Sequence, residues 1–299
     1  MKKVGFVSIV GKTNAGKSTL LNLIMGQKVS IATSKPQTTR NSIQGIYNDE
    51  DSQIIFVDTP GLVKTHQKLD RYMNKQINYS LIDIDALIIL VDAGVPFNEE
   101  KDLILKDRFT NDVPTFIVFN KIDLTNIYLI QNLKAKYKEL FPNAEIIEIS
   151  CKKNFNIEEV ISKVKNVLPE GEKYYPEEMV SNHPMSFLAG EIIREKILLL
   201  THEEVPHCVA VKVDSMKKIN QTLHIDTTIL VEKQSQKKII VGKGGQMIKQ
   251  IGMEARKELE KLMNRKINLS TFVRVEERWR DSDLYLKEFG YSLSNNDDE

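Results

Sequence analysis

The run Gly11-Lys12-Thr13-Asn14-Ala15-Gly16-Lys17-Ser18 follows a near-continuous apolar stretch, Val4–Val10, and precedes Leu20, Leu21, Ile24 and Met25 at helical spacing. An apolar run closed by a glycine turn reads as a strand buried on both faces, the kind found in parallel sheets covered by helices. The glycines let successive backbone N–H groups turn inward, and the helix that follows adds the positive end of its dipole. In that strand–helix context GxxxxGK[ST] is a phosphate cradle. Lys17 is expected to reach the β- and γ-phosphates of a nucleotide and Ser18 to hold Mg²⁺, with Gly11, Thr13, Asn14, Ala15, Gly16 and Thr19 completing the loop.

Further apolar runs at Ile54–Val57, Ala86–Val91, Thr115–Phe119 and Ile146–Ile149 alternate with helix-like stretches near 98–109, 126–140 and 156–167. Alternation of buried strands with helices predicts an α/β domain with a doubly wound, mostly parallel sheet over residues 1–170.

Three strand ends carry the remaining chemistry. Asp58-Thr59-Pro60-Gly61 closes the strand Ile54–Val57, 40 residues after Ser18. An aspartate there can hold Mg²⁺ through water, and Gly61 lets its N–H approach a γ-phosphate. Asn120-Lys121-Ile122-Asp123 closes the strand Thr115–Phe119. Guanine presents N1–H and N2–H₂ on one edge, and a single carboxylate, Asp123, accepts both. Adenine would leave that carboxylate unpaired. The Asn120 amide can tie this loop to the phosphate loop, and the Lys121 stem can lie along the base. Ser150-Cys151-Lys152 follows the last strand, where a backbone N–H could meet guanine O6. Between cradle and Asp58 lies Pro36-Gln37-Thr38-Thr39-Arg40, from which a threonine can complete the Mg²⁺ shell. Thr39 is favoured over Thr38, although the residues alone do not separate them. A loop ordered by the γ-phosphate is a switch.

The order and spacing of these elements resemble the translation-factor-related small GTPases of bacteria, and KPQTTRN, DTPGL and NKID resemble the Era family among them. The resemblance implies GTP and GDP as ligands, Mg²⁺ as cofactor, and catalysis involving Asn14, Lys17, Ser18, Thr39 and Gly61. Leu62 stands where Ras-like GTPases carry a glutamine that orients the attacking water. A leucine cannot do this, so slow intrinsic hydrolysis is expected. Asn14 matches the position linked in related GTPases to K⁺-assisted hydrolysis, so K⁺ is a candidate second cation. Thr13 and Ala15 replace the family's usual Pro and Val without removing a phosphate ligand.

Proline, glycine and charge cluster from Pro169 to Pro176, which reads as the start of a linker over 171–186. Beyond it, Phe187–Leu200 reads as an amphipathic helix, Val209–Val213 and Leu223–Val231 as a hairpin, Gln246–Met263 as a long helix and Ile267–Val275 as a strand. Gly242-Lys243-Gly244-Gly245 falls between the short apolar run Ile239–Val241 and that long helix, flanked by Lys237, Lys238 and Lys249. Residues 205–280 hold 16 Lys+Arg against 8 Asp+Glu. A GxxG loop in this setting resembles a KH domain of type II, over 187–280, which clamps single-stranded nucleic acid while the basic residues supply the electrostatic attraction. A C-terminal helix and acidic tail are expected over 281–299.

A G domain followed by a KH domain is the Era arrangement. It implies binding to the single-stranded 3′ end of 16S ribosomal RNA, action on the 30S subunit during its maturation, and peripheral contact with the inner face of the cell membrane, although no lipidation motif or amphipathic anchor is present. A cytoplasmic monomer is the default expectation. Two other readings are weighed. A P-loop kinase would prefer adenine, against the NKID run. A signalling GTPase whose second domain binds protein would not need the basic GxxG loop. The two cysteines build no disulfide framework, and the five histidines show no metal-ligand spacing. Trp279 could stack on RNA, but core packing is favoured.

Overall fold

Val4, Val7, Ile9 and Val10 are all buried, which places the strand that carries them at the centre of a sheet. The computed structural model describes residues 2–109, 112–202 and 205–292. The chain divides into two compact units. The first comprises Met1–Ala32, Thr39–Val63 and Lys75–Asn182, and the second Thr33–Thr38, Lys64–Asn74 and His183–Glu299.

In chain order the elements up to the end of the first unit are β1 (Lys2–Gly11), α1 (Lys17–Met25), β2 (Ile43–Asn48), β3 (Ser52–Asp58), α2 (Lys68–Tyr79), β4 (Ala86–Asp92), α3 (Glu99–Phe109), β5 (Thr115–Asn120), α4 (Ile127–Leu140), β6 (Glu145–Glu148), α5 (Ile157–Val167) and the short β7 (Glu170–Gly171). The sheet order is β2-β3-β1-β4-β5-β6. All neighbours along it are parallel except β2, which runs antiparallel to β3. Parallel register brings the C-terminal ends of β1, β3, β4 and β5 to one edge, where ligand-binding loops of such sheets gather. β3 is buried along its whole length, and β4 along all but its last residue. Each such Val, Leu or Ile contributes about 1.5–3 kcal/mol relative to its exposed state.

Three of these elements escaped the reading of periodicity: β2, whose IQGIYN is interrupted by glycine and polar residues, α2, whose KLDRYMNKQINY is polar on average, and the two-residue β7, which carries no apolar residue. The stretch expected as a linker is packed up to residue 182. Glu170 and Gly171 pair with Lys3 and Lys2, Tyr175 is bound at its N–H and carbonyl by the Gln53 side chain, and the Ile46 N–H donates to the Val180 carbonyl. The Tyr174 ring lies 5.1 Å from that of Phe6.

The second unit contains α6 (Met185–Leu200), β8 (Ala210–Ile219), β9 (Thr222–Val231), α7 (Gln234–Val241), α8 (Gln246–Met263), β10 (Lys266–Val275) and α9 (Asp283–Glu288). β8 and β9 form the expected hairpin, turning at Asn220 with φ 55°, and β10 adds parallel to β9. Ile193, Ile225, Ile251, Ala255 and Leu259 lie in its buried core. The short apolar run Ile239–Val241 is the last turn of α7, whose earlier residues are all polar. Trp279 is fully buried, and its indole N–H donates to the Cys208 carbonyl at 2.9 Å. Also in this unit, the fully buried Arg194 guanidinium donates to Glu191 and to the Thr38 carbonyl. The acidic end of the chain, 293–299, lies outside the described residues.

Trp279 is the chain's single tryptophan, so its fluorescence reports unfolding of the second unit. Ile251→Ala deletes a fully buried side chain from that core and is expected to destabilise the unit by about 2–5 kcal/mol in urea unfolding followed at Trp279. A transition unmoved within error would show that the helix does not pack as described.

Candidate nucleotide site and GxxG loop

The loop from Gly11 to Ser18 joins β1 to α1, and α1 begins without a side-chain cap, its N-cap Gly16 taking a left-handed φ of 102°. The N–H groups of the first turn are therefore left for an external anion. Thr19 lies in that turn. The Lys17 ammonium is buried and donates to the carbonyls of Gly11 (3.2 Å) and Lys12 (3.1 Å). Burial draws its pKa down to about 8 against the pull of Asp58.

Ser18, Thr39 and Asp58 converge. The Ser18 hydroxyl donates to Asp58 Oδ2 at 2.6 Å and lies 2.8 Å from Thr39 Oγ1. Ser30, which the sequence did not single out, also donates to Asp58 Oδ2, at 2.9 Å. Asp58 is fully buried, burial pushes its carboxyl pKa up, and its Oδ1 has no hydrogen-bond partner. Two hydroxyls and a carboxylate with a spare buried oxygen make a hard, all-oxygen donor set that suits Mg²⁺, an ion commonly held by one or two carboxylates with phosphate and water. Thr38 is engaged elsewhere, its hydroxyl bonded to the Lys35 carbonyl and lying 2.7 Å from Thr33 Oγ1. Geometry thus puts Thr39, not Thr38, beside Ser18.

Gly61 approaches the loop so closely that a Cβ there would fall 2.7 Å from Thr13 Cγ2 and 2.8 Å from Thr13 Cα. Leu62 packs against the core around β4 and β5.

The residues expected to read the base form one connected set. The Asn120 amide donates to the Ala15 carbonyl at 2.8 Å, and its Oδ1 accepts from the N–H groups of Lys121 and Cys151. Lys121 adopts φ 66° and its ammonium donates to Asp92 Oδ2 (2.6 Å) and to the Asn14 carbonyl (2.8 Å). Asp92 was missed by the sequence reading, although its place at the end of β4, next to β5, is a usable signal. The Ser150 hydroxyl donates to Asp123 Oδ1 at 2.5 Å and holds that carboxyl below its usual range. Ser150 thus orients the Asp123 carboxylate with its side chain. Cys151 is buried, its thiol pushed up to about 12 by burial, and its N–H goes to Asn120. Lys152 beside it is exposed.

In the second unit, Gly242, Gly244 and Gly245 all take positive φ, at 74°, 59° and 79°. A Cβ on Gly242 would fall 2.6 Å from that of Met247. Like α1, α8 starts from a left-handed glycine with no side-chain cap. Lys238, Lys243 and Lys249 are exposed around this loop, and the Lys237 ammonium lies 5.5 Å from the centre of the Phe272 ring.

Known proteins match both halves. Residues 6–121 match the family described as 50S ribosome-binding GTPase, and residues 204–280 the KH domain family. GTPase Era of Lactobacillus delbrueckii subsp. bulgaricus is 46% identical over 97% of this chain and 96% of its own length, and GTPase Era of Clostridium kluyveri is 46% identical over 97% and 100%. The chain belongs to the GTPase Era family. Two solved structures are similar over nearly the full length at 38% identity. One is an Aquifex aeolicus Era variant bound to GDP.AlF4⁻, with a TM-score of 0.93 over 97% of this chain and 100% of that one. The other is Era in complex with MgGDPNP and nucleotides 1506–1542 of 16S ribosomal RNA, with a TM-score of 0.94 over 98% and 100%.

Two outcomes are expected from this geometry. Asp123→Asn replaces an acceptor pair with one donor and one acceptor, and GTP affinity should fall roughly 100-fold or more, in a fluorescent-nucleotide competition assay. Lys17 must be protonated to face the β-phosphate that GDP and GTP share, yet burial brings its pKa to about 8. Binding above that pH therefore takes up a proton, and the Kd for GDP should rise about tenfold between pH 7 and pH 9. A flat calorimetric profile would contradict the burial described for Lys17.

Proposed function

We propose that this chain binds GTP with Mg²⁺, hydrolyses it slowly, and uses the nucleotide state to control binding of single-stranded RNA at the GxxG loop. The RNA in this reading is the 3′ end of 16S ribosomal RNA, and the process is maturation of the 30S subunit. The observation that carries the proposal is the presence, in one chain, of a guanine-reading phosphate site and a basic GxxG loop, in a fold that superposes along nearly its whole length on an Era–MgGDPNP–RNA complex.

The residues support distinct roles. Lys17 and the N–H groups of Gly11–Thr19 neutralise phosphate charge, Asp123 and Asn120 select guanine, and Ser18, Thr39 and Asp58 hold the cation. When bound, Mg²⁺ supplies charge that stabilises the transferring phosphoryl group. Leu62 offers no group to orient water, which supports slow turnover. Asn14 supports K⁺ as an assisting cation, and hydrolysis is expected to be faster in KCl than in NaCl of equal strength.

Thr39 and Gly61 support a switch. The residue before Thr39 has its carbonyl bound by Arg194 of the second unit, so rearrangement of Thr39 on hydrolysis would pull on a segment tied to α6. Binding to ribosomal RNA would place the protein in the cytoplasm. Peripheral membrane contact belongs to the same reading only at the surface, since no helix among the described residues is long and apolar enough to cross a membrane.

A labelled RNA matching that 3′ end should bind more tightly with a non-hydrolysable GTP analogue than with GDP. Acidic substitution of the loop interior, Lys243→Asp with Gly244→Asp, should weaken RNA binding about tenfold or more and leave GTP hydrolysis intact. Equal RNA affinity in both nucleotide states would remove the coupling, and no RNA binding in either state would remove the RNA partner.

A further inference from the structure

Asp102, on the first turn of α3, is 2% exposed although it is a carboxylate. Burying a carboxylate is costly unless its oxygens are bonded. Here they are. Oδ2 accepts from the Asn98 N–H at 2.8 Å, and Oδ1 accepts from the Lys12 ammonium at 2.5 Å and from the Tyr137 hydroxyl. Tyr137, on α4, is 1% exposed and meets Phe97 and Phe119 edge-on, with ring centres 5.9 and 5.4 Å away. Phe119 immediately precedes Asn120.

Lys12 belongs to the phosphate loop, but its side chain is bound to α3. Its carbonyl stays within the loop, accepting from the Lys17 ammonium at 3.1 Å and the Ala15 N–H at 3.4 Å. The loop is thus held from outside at three points, by Asn120 at the Ala15 carbonyl, by Lys121 at the Asn14 carbonyl and by Asp102 through Lys12. The first two anchors belong to the end of β5, and the third leads through Tyr137 to α4. Cap formation at α3 explains the Asn98 contact, but not why Lys12 and a buried tyrosine share the other oxygen.

We infer that Lys12, Asp102 and Tyr137 form a positioning set that fixes the phosphate loop, with Lys12 acting as a tether and not as a phosphate ligand. A tether acts on the cradle itself, and the cradle serves GDP and GTP alike. Its loss removes binding common to the ground and transition states, which raises Kd and KM and spares kcat. The inference rests on the nucleotide reading proposed above.

The test uses the full chain with Lys12→Met, Asp102→Asn, their double variant, Lys12→Arg and Tyr137→Phe. GDP and GTP affinities, kcat and the thermal transition by circular dichroism are measured for each. Lys12→Met and Asp102→Asn should each weaken GDP and GTP by a similar factor of about ten, as loss of a supporting contact commonly does. Their kcat should stay within about twofold, the double variant should be no worse than Lys12→Met, and Lys12→Arg should restore most of the affinity. Tyr137→Phe keeps the ring and should shift affinity in the same direction by a smaller factor, which keeps the test usable if Asp102→Asn folds poorly. A lowered transition temperature with unchanged affinities would overturn the inference in favour of a purely structural cluster. A fall in kcat with unchanged GDP affinity would make Lys12 a group that acts on the reacting phosphate. If the parent chain bound neither nucleotide, the nucleotide reading would fail and this inference with it. Unaffected variants of a parent that binds both would sink this inference alone.

Discussion

Two opposite charges, Lys17 and Asp58, are buried at the ends of adjacent elements, and much of the first unit is arranged around them. Desolvation weakens the charge on each, drawing the lysine down to about 8 and the aspartate up. Hydrogen bonds from Ser18 and Ser30 and to the carbonyls of Gly11 and Lys12 offset part of that cost. In the proposed function a triphosphate at Lys17 and a divalent cation at Asp58 would supply the rest. Parallel pairing of β1 with β3 puts the two groups side by side.

The same local device recurs in both units. A glycine in the left-handed region leads straight into a helix whose first turn has no side-chain cap, at Gly16 before α1 and at Gly245 before α8. Free N–H groups and a helix dipole attract phosphate whether it belongs to a mononucleotide or to a polynucleotide backbone. Selectivity comes from what surrounds each loop. In the proposed reading Asp123, held by Ser150, meets a base edge in the first unit, while the lysines around Gly242–Gly245 face an extended polyanion.

Features carried by spacing were legible in the sequence: the buried strands, the glycine loop before α1, the Asn120–Asp123 run at the end of β5 and the GxxG loop. Those that depend on a side chain reaching across the sheet were not. Asp92, Ser30 and Asp102 lie in ordinary-looking local sequence and acquire roles only when β4, the segment before β2, and α3 are brought beside the cradle. The hydroxyl of Ser150 was hidden behind the expectation of a backbone contact. β2 and α2 were obscured because glycine and polar residues dilute their apolar pattern, while α7 showed only its apolar last turn. The choice between Thr38 and Thr39, open in sequence, turns on which hydroxyl faces Ser18.

The chain after α5 has a consequence for dissecting the protein. β2 ends one side of the sheet, and an unpaired outer strand is a template for aggregation. Gly45 and Ile46 of β2 are covered by Ser181 and Val180. A truncation at residue 170, where the compositional shift invites a cut, would strip that cover and leave a raw strand edge. A fragment carried on to residue 182 keeps its own hem.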